Sequence, residues 1–277
     1  MSDSATMEPA DTSAPKKDAG GDDWRSFGWF MIKLVAAVLI FRAFFFSPFT
    51  IPSESMLPKL QNGDYLVAAK WPYGYSKLSM PMEAPIIPGR IFAGLPERGD
   101  VAIFKHPVDG TDYIKRVIGL PGDTVAMRGG KVILNGKELP QERVPSFEIA
   151  LSDNTGCAWG GSVVESDGGE VCRYLAARET LPSGKSYTIL DFGGTRQDDF
   201  APIIVPKGQL FVLGDNRDNS QDSRFTAQPG GGVGLVPAEL LVGRASMVLW
   251  STDGSAEWIK PWTWFTAARW HRIGEGL

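Results

Sequence analysis

Two hydroxyls lie two residues apart at Ser53 and Ser55, in the string Ile51-Pro52-Ser53-Glu54-Ser55-Met56-Leu57-Pro58. A serine hydroxyl is a weak nucleophile until a base within hydrogen-bond reach takes its proton. The chain has only two histidines, His106 and His271, and neither sits in a setting that suits a catalytic base. His106, beside Pro107, reads as a surface loop residue. No His/Cys grouping has the spacing of a metal site, so neither metal nor cofactor is expected. A lysine is the remaining candidate base. Lys115 lies in Asp112-Tyr113-Ile114-Lys115-Arg116-Val117-Ile118-Gly119-Leu120-Pro121-Gly122-Asp123, flanked by apolar residues. Only a neutral amine can accept a proton, so burial must bring it from about 10.4 to roughly 7–8. On a strand Arg116 then points to the opposite face. The Ser53 hydroxyl and the Ser55 N–H are placed to stabilise an oxyanion together, one such donor being worth about 2.7–4 kcal/mol. This is the chemistry of a Ser/Lys hydrolase.

The elements that must position these groups begin with an anchor. Residues 1–27 are rich in Ser, Ala, Asp, Pro and Gly and read as a disordered cytoplasmic tail. Residues 28–49 are mostly apolar, about the twenty needed to cross a hydrocarbon core of roughly 30 Å. Lys33 can snorkel, and Arg42 is accommodated if the span ends near Phe41. The run is too long and starts too late for a cleaved leader. Lys16, Lys17, Arg25 and Lys33 bias the N-terminus towards the cytoplasm, leaving the rest on the export side.

Beyond the anchor, 32 glycines and 20 prolines in 277 residues favour a turn-rich β protein. The net charge of -4 argues against a nucleic-acid partner, which would need a basic face. Apolar runs at 65–69, 100–104, 113–118, 209–213 and 240–250 read as strands of a catalytic core divided into 50–140 and 205–250. Residues 131–139 read as a hairpin turning at Asn135-Gly136. Residues 141–204 change in texture and read as an inserted β-rich subdomain. It holds Cys157 and Cys172, either a disulfide or two free thiols. Gly230 to Gly234 reads as a flexible loop. In the tail, 251–277, the residues Trp258, Trp262, Trp264, Phe265 and Trp270 interleave with Lys260, Arg269 and Arg272, which suits a membrane-interface belt.

These strings resemble the boxes of the bacterial type I signal peptidases, the Ser/Lys leader peptidase family. Residues 51–58 look like its nucleophile box, and Gly63-Asp64-Tyr65 like the strand after it. Arg98-Gly99-Asp100-Val101 and residues 112–123 look like its lysine box. Gly214-Asp215-Asn216-Arg217-Asp218-Asn219-Ser220-Gln221-Asp222-Ser223-Arg224 looks like its last box, followed by Val242-Gly243-Arg244-Ala245. The resemblance implies a mainly β fold: an N-terminal transmembrane helix and a β-rich signal-peptidase-like catalytic core, here with the inserted β-rich subdomain. It implies Ser55 as nucleophile, Lys115 as base, Ser53 as oxyanion donor and Ser220 as the group orienting the amine. Asp222 and Arg224 match its structural charge pair, and Arg116 lies next to the site. Phe49, Ile51, Pro52, Tyr113 and Ile114 fall where the family lines small substrate pockets. One position departs: the family usually has glycine where Glu54 stands, costly if that residue needs φ > 0.

The expected protein is a single-pass enzyme of the bacterial inner membrane, its catalytic domain on the periplasmic side. Its partners would be membrane lipid and exported preproteins with small-x-small cleavage sites. Two rivals are a dedicated Ser/Lys peptidase for one substrate, as in pilin-type maturation, and a non-enzymatic membrane-tethered binding module.

Overall fold

The computed structural model describes residues 22–166, 169–257 and 259–277. Most of the expected tail and Trp258 lie outside the described residues. The chain divides into two compact units, Met1–Ile40 and Phe41–Leu277.

One helix, Asp22–Phe44, supplies a segment (Trp24–Phe44) long and apolar enough to cross a membrane. It starts six residues before the expected Gly28, because residues 22–27 contain neither glycine nor proline to break it. It also ends earlier than Phe49. Pro48 disfavours helical backbone at Ser47, and Phe46–Thr50 is a strand instead.

The second unit is mainly β. Its largest sheet has seven strands in the order Phe46–Thr50, Asp64–Ala69, Leu241–Ser251, Val101–Lys105, Asp112–Gly119, Gln209–Leu213 and Val236–Pro237. Neighbours are antiparallel throughout, with Ala102 opposite Lys115 and Ile103 opposite Ile114. Beneath it lies a core of Ile51, Met56, Leu60, Leu66, Ile103 and Val248. Fully burying one such side chain contributes about 1.5–3 kcal/mol. Asn135 and Gly136 both take positive φ in the hairpin between Lys131–Leu134 and Lys137–Glu138, the geometry of a tight primed turn.

The stretch 141–204 builds a four-stranded sheet of its own and also shares core with the large sheet. Its long strand Gly169–Thr180 pairs with Gln141–Ala150 on one side and with Ser162–Ser166 and Ser186–Leu190 on the other. Tyr187 and Ile189 share a core with Ile118 and Phe211 of the large sheet. Leu57, beside the nucleophile string, packs with Ile149, Tyr174 and Leu190. The last strand of the stretch, Phe200–Ile204, pairs with Thr124–Arg128 and so belongs with the core hairpin. Cys157 and Cys172 are joined in a disulfide.

Three further readings change. His106 is buried, because its imidazole is wanted inside: Nδ1 accepts from the Val108 N–H and Nε2 meets Gly232 O at 3.1 Å. The glycine loop is correspondingly pinned, with Gly230 N–H donating to Asp109 and Tyr113 OH to Gly231 O. In the tail, Trp262, Trp264, Phe265 and Trp270 are exposed, but Arg272 turns inward to a buried pair with Asp64. Arg269 donates to Asn62 O and to Thr155 Oγ1. These two cations hold the tail to the core rather than facing lipid headgroups.

Candidate active site

Register and alternation bring the chemistry together. Lys115 is on the strand Asp112–Gly119, directly opposite Ala102 of Val101–Lys105, so its side chain leaves the same face of the sheet as that small alanine, while Ile103 and Ile114 share the other face. Ser55 lies in a turn between Phe46–Thr50 and Asp64–Ala69, hinged by Met56 and Leu57, both fully buried. Lys115 Nζ sits 2.6 Å from Ser55 Oγ and 3.1 Å from Ile114 O. Burial lowers the amine to about 8, against the opposing pull of the Asp222 and Asp215 carboxylates, which favour the ammonium. Ser53 Oγ lies 3.4 Å from Ser55 Oγ.

The pocket around them is lined by Phe49, Ile51, Pro52, Tyr113 and Ile114 on its apolar side, together with Ser53, Ser55 and Lys115. Its volume is about 500 Å³. All five residues matched to small substrate pockets therefore surround the serine and the lysine.

The last box holds this arrangement from behind. Asn216 donates its N–H to Ser55 O at 3.1 Å and its side-chain amide to Glu54 O at 3.2 Å, fixing the turn on both sides of the nucleophile. Gly214 has to be glycine: a Cβ there would collide with Ser220 Oγ and Ser55 O. Arg116 leaves the opposite face of the lysine strand and makes a two-point pair with Asp215, at 2.7 and 2.6 Å. Arg217 is fully buried and grips Glu179, at 2.5 and 3.1 Å. Asp222 and Arg224 form a third buried pair, at 2.8 and 2.9 Å. Burial opposes ionisation of Asp222, but the Arg224 guanidinium and the Gly214 N–H hold it below the usual carboxylate range.

Ser220 differs from what the resemblance implies. Its Oγ is buried and makes no hydrogen bond to Lys115 or to any other described residue. The amine is instead steered by Ser55 and the Ile114 carbonyl.

Glu54 takes no positive φ, so the departure from glycine carries no backbone penalty. Its carboxylate accepts from Asn62 Nδ2 and Asn219 Nδ2, both at 3.3 Å. Away from this pocket, the carboxylates of Asp191, Asp198 and Asp218 gather within 4.8 Å of one another. Thr195 and the Phe192 N–H already donate to two of them. Burial and the charges of Asp218 and Asp198 push Asp191 up to about 6.

Sequence reasoning left out Asp215 and Asn216 as site residues although both stand in the quoted box. Glu179 carried no local signal at all, since its partner Arg217 lies 38 residues further on.

Comparison with known proteins shows which family the chain is similar to. The family described as "Signal peptidase, peptidase S26" matches residues 24–250. A signal peptidase I of Rickettsia canadensis is 33% identical over 252 residues, 87% of this chain and 84% of that protein. Another, from Rickettsia typhi, is 34% identical over 229 residues, 79% of this chain and 77% of the relative. A solved signal peptidase I from Enterococcus faecalis covers 55% of this chain at 24% identity, with a TM-score of 0.30.

Proposed function

This chain belongs to the signal peptidase family, peptidase S26, and on that premise we propose a membrane-anchored endopeptidase that cuts signal peptides from exported preproteins with Ser55 and Lys115. The observation that carries the reading is the 2.6 Å contact between a buried amine and a serine hydroxyl at the floor of an open pocket.

The steps follow from that contact. Neutral Lys115 takes the Ser55 proton as Oγ attacks the carbonyl carbon at the cut. The Ser55 N–H and the Ser53 hydroxyl donate to the oxyanion that forms. Lys115 then gives its proton to the departing amine, and the C–N bond breaks to leave an ester on Ser55. Water, deprotonated by the same amine, attacks that ester and frees the enzyme. The upstream part of the substrate lies extended between residues 49–53 and 112–115, exchanging main-chain hydrogen bonds. The small apolar pocket beside Ile51 and Ile114 selects alanine-like side chains before the cut.

The helix Asp22–Phe44 is the proposed anchor, with the N-terminus cytoplasmic and the catalytic unit on the export side of the inner membrane. Cleavage of several unrelated preproteins in detergent or vesicles is the test. Ser55→Ala and Lys115→Ala should each lower turnover by at least about 10³-fold. Near-normal turnover by either variant would end the assignment, and cleavage of a single preprotein alone would favour a dedicated peptidase.

A further inference from the structure

Two acids line the pocket, Glu54 and Asp112, and they differ in company. Asp112 is paired with Lys105 at 3.1 Å. Glu54 has no ion-pair partner among the described residues; only two side-chain amides, both 3.3 Å away, donate to it. Those amides fix the direction of the carboxylate without neutralising it. Beside it, Asn62 Oδ1 is buried and accepts from no donor. One rim of the pocket therefore carries an uncompensated negative charge and a surplus of acceptors.

The position of that rim decides what meets it. Phe49, Ile51, Tyr113 and Ile114 form the apolar side, which takes the small residues before the cut. Glu54, Asn62 and Asn219 are joined by hydrogen bonds and belong to the polar part of the same lining, Glu54 being next to Ser55 in the chain. An extended peptide attacked at its carbonyl by Ser55 Oγ that keeps its acyl half against those apolar residues leaves its amine half to the polar lining, where Glu54 stands. We propose that Glu54 is a specificity-determining residue for the first residues after the cut, favouring cationic side chains there and disfavouring acidic ones. The preference is electrostatic and partly exposed to solvent, so it is modest and weakened by salt. The inference rests on the peptidase reading above.

Three peptides settle it, identical except for Lys, Gln or Glu at the first two positions after an alanine-x-alanine cut. Full-length enzyme in detergent should cleave the Lys peptide about five- to tenfold more efficiently than the Glu peptide at low ionic strength. Half-molar salt should shrink that ratio, because the screening length falls to a few ångströms. Within the Glu54→Gln enzyme the ratio should collapse towards one, and within Glu54→Lys it should invert. Each enzyme supplies its own reference, so a general loss of rate in a variant leaves the readout intact. A ratio unchanged by both substitutions, or a wild-type ratio of one, overturns the proposal while leaving the peptidase reading standing. Failure of the wild-type enzyme to cut even the Gln peptide would instead count against the peptidase reading, and the proposal would fall with it.

Discussion

Two lysines in this protein have the same small solvent exposure, and burial lowers both to about 8, although Lys115 lies deeper. Lys115 points at Ser55 Oγ in an open pocket. Lys70, just past the strand Asp64–Ala69, donates to the backbone carbonyl of Ser79 at 2.7 Å rather than to a hydroxyl. For Lys70 the cause is again burial, with the Arg42 charge as a second contribution. The pair separates two ideas that are easily merged. A low-lying amine is a product of desolvation and arises wherever a strand end is covered. A base additionally needs a hydroxyl at hydrogen-bond distance and room for a substrate carbonyl beside it. Of the two, Lys115 has both.

The comparison can be broken at several points. The largest effect after loss of the dyad itself should come from Ser53, because the Lys70 region has no second hydroxyl aimed at a reacting atom. Ser53→Ala should lower kcat by about 10²-fold with little change in KM. An unaltered kcat would remove Ser53 from the oxyanion site. Next comes the pH profile. In the proposed mechanism neutral Lys115 is the working form, and its fraction grows as pH rises. The ratio kcat/KM should climb about tenfold per pH unit well below 8 and level off above it. A profile flat from pH 6 to 9 would contradict a lysine base. The smallest effect belongs to Lys70. Lys70→Met replaces a buried amine by an apolar chain of similar length. Cleavage should stay within about twofold and stability within about 2 kcal/mol. If the midpoint of the pH profile moved with Lys70→Met, the two regions would be coupled and the contrast between them lost.

How much of this could be read from sequence follows the same division. Ser53, Ser55 and Lys115 stood out because their residue types and neighbours are informative over a few positions, and the strands around them alternate or run apolar. Regions whose partners are distant in sequence did not. Glu179 is a charged residue in a stretch of weak pattern, and nothing local announces that Arg217 will bury it. His106 beside a proline looks like a surface residue until the glycine loop folds over it. The stretch 141–204 looked separate because charge and glycine gather there. Tyr187 and Ile189 nonetheless reach into the shared core, and Phe200–Ile204 pairs outside the stretch altogether. Arg269 and Arg272 resembled lipid-facing cations by composition, while their partners Asn62 and Asp64 lie some two hundred residues earlier. Local chemistry was legible; closure of distant segments was not.

The bond from the Asn216 N–H to Ser55 O has a temporal consequence. Alcohol and amine are both synthesised in the first half of the chain, yet the clasp that sets their angle arrives near residue 216. A growing polypeptide therefore lacks this clasp until most of its length has been made.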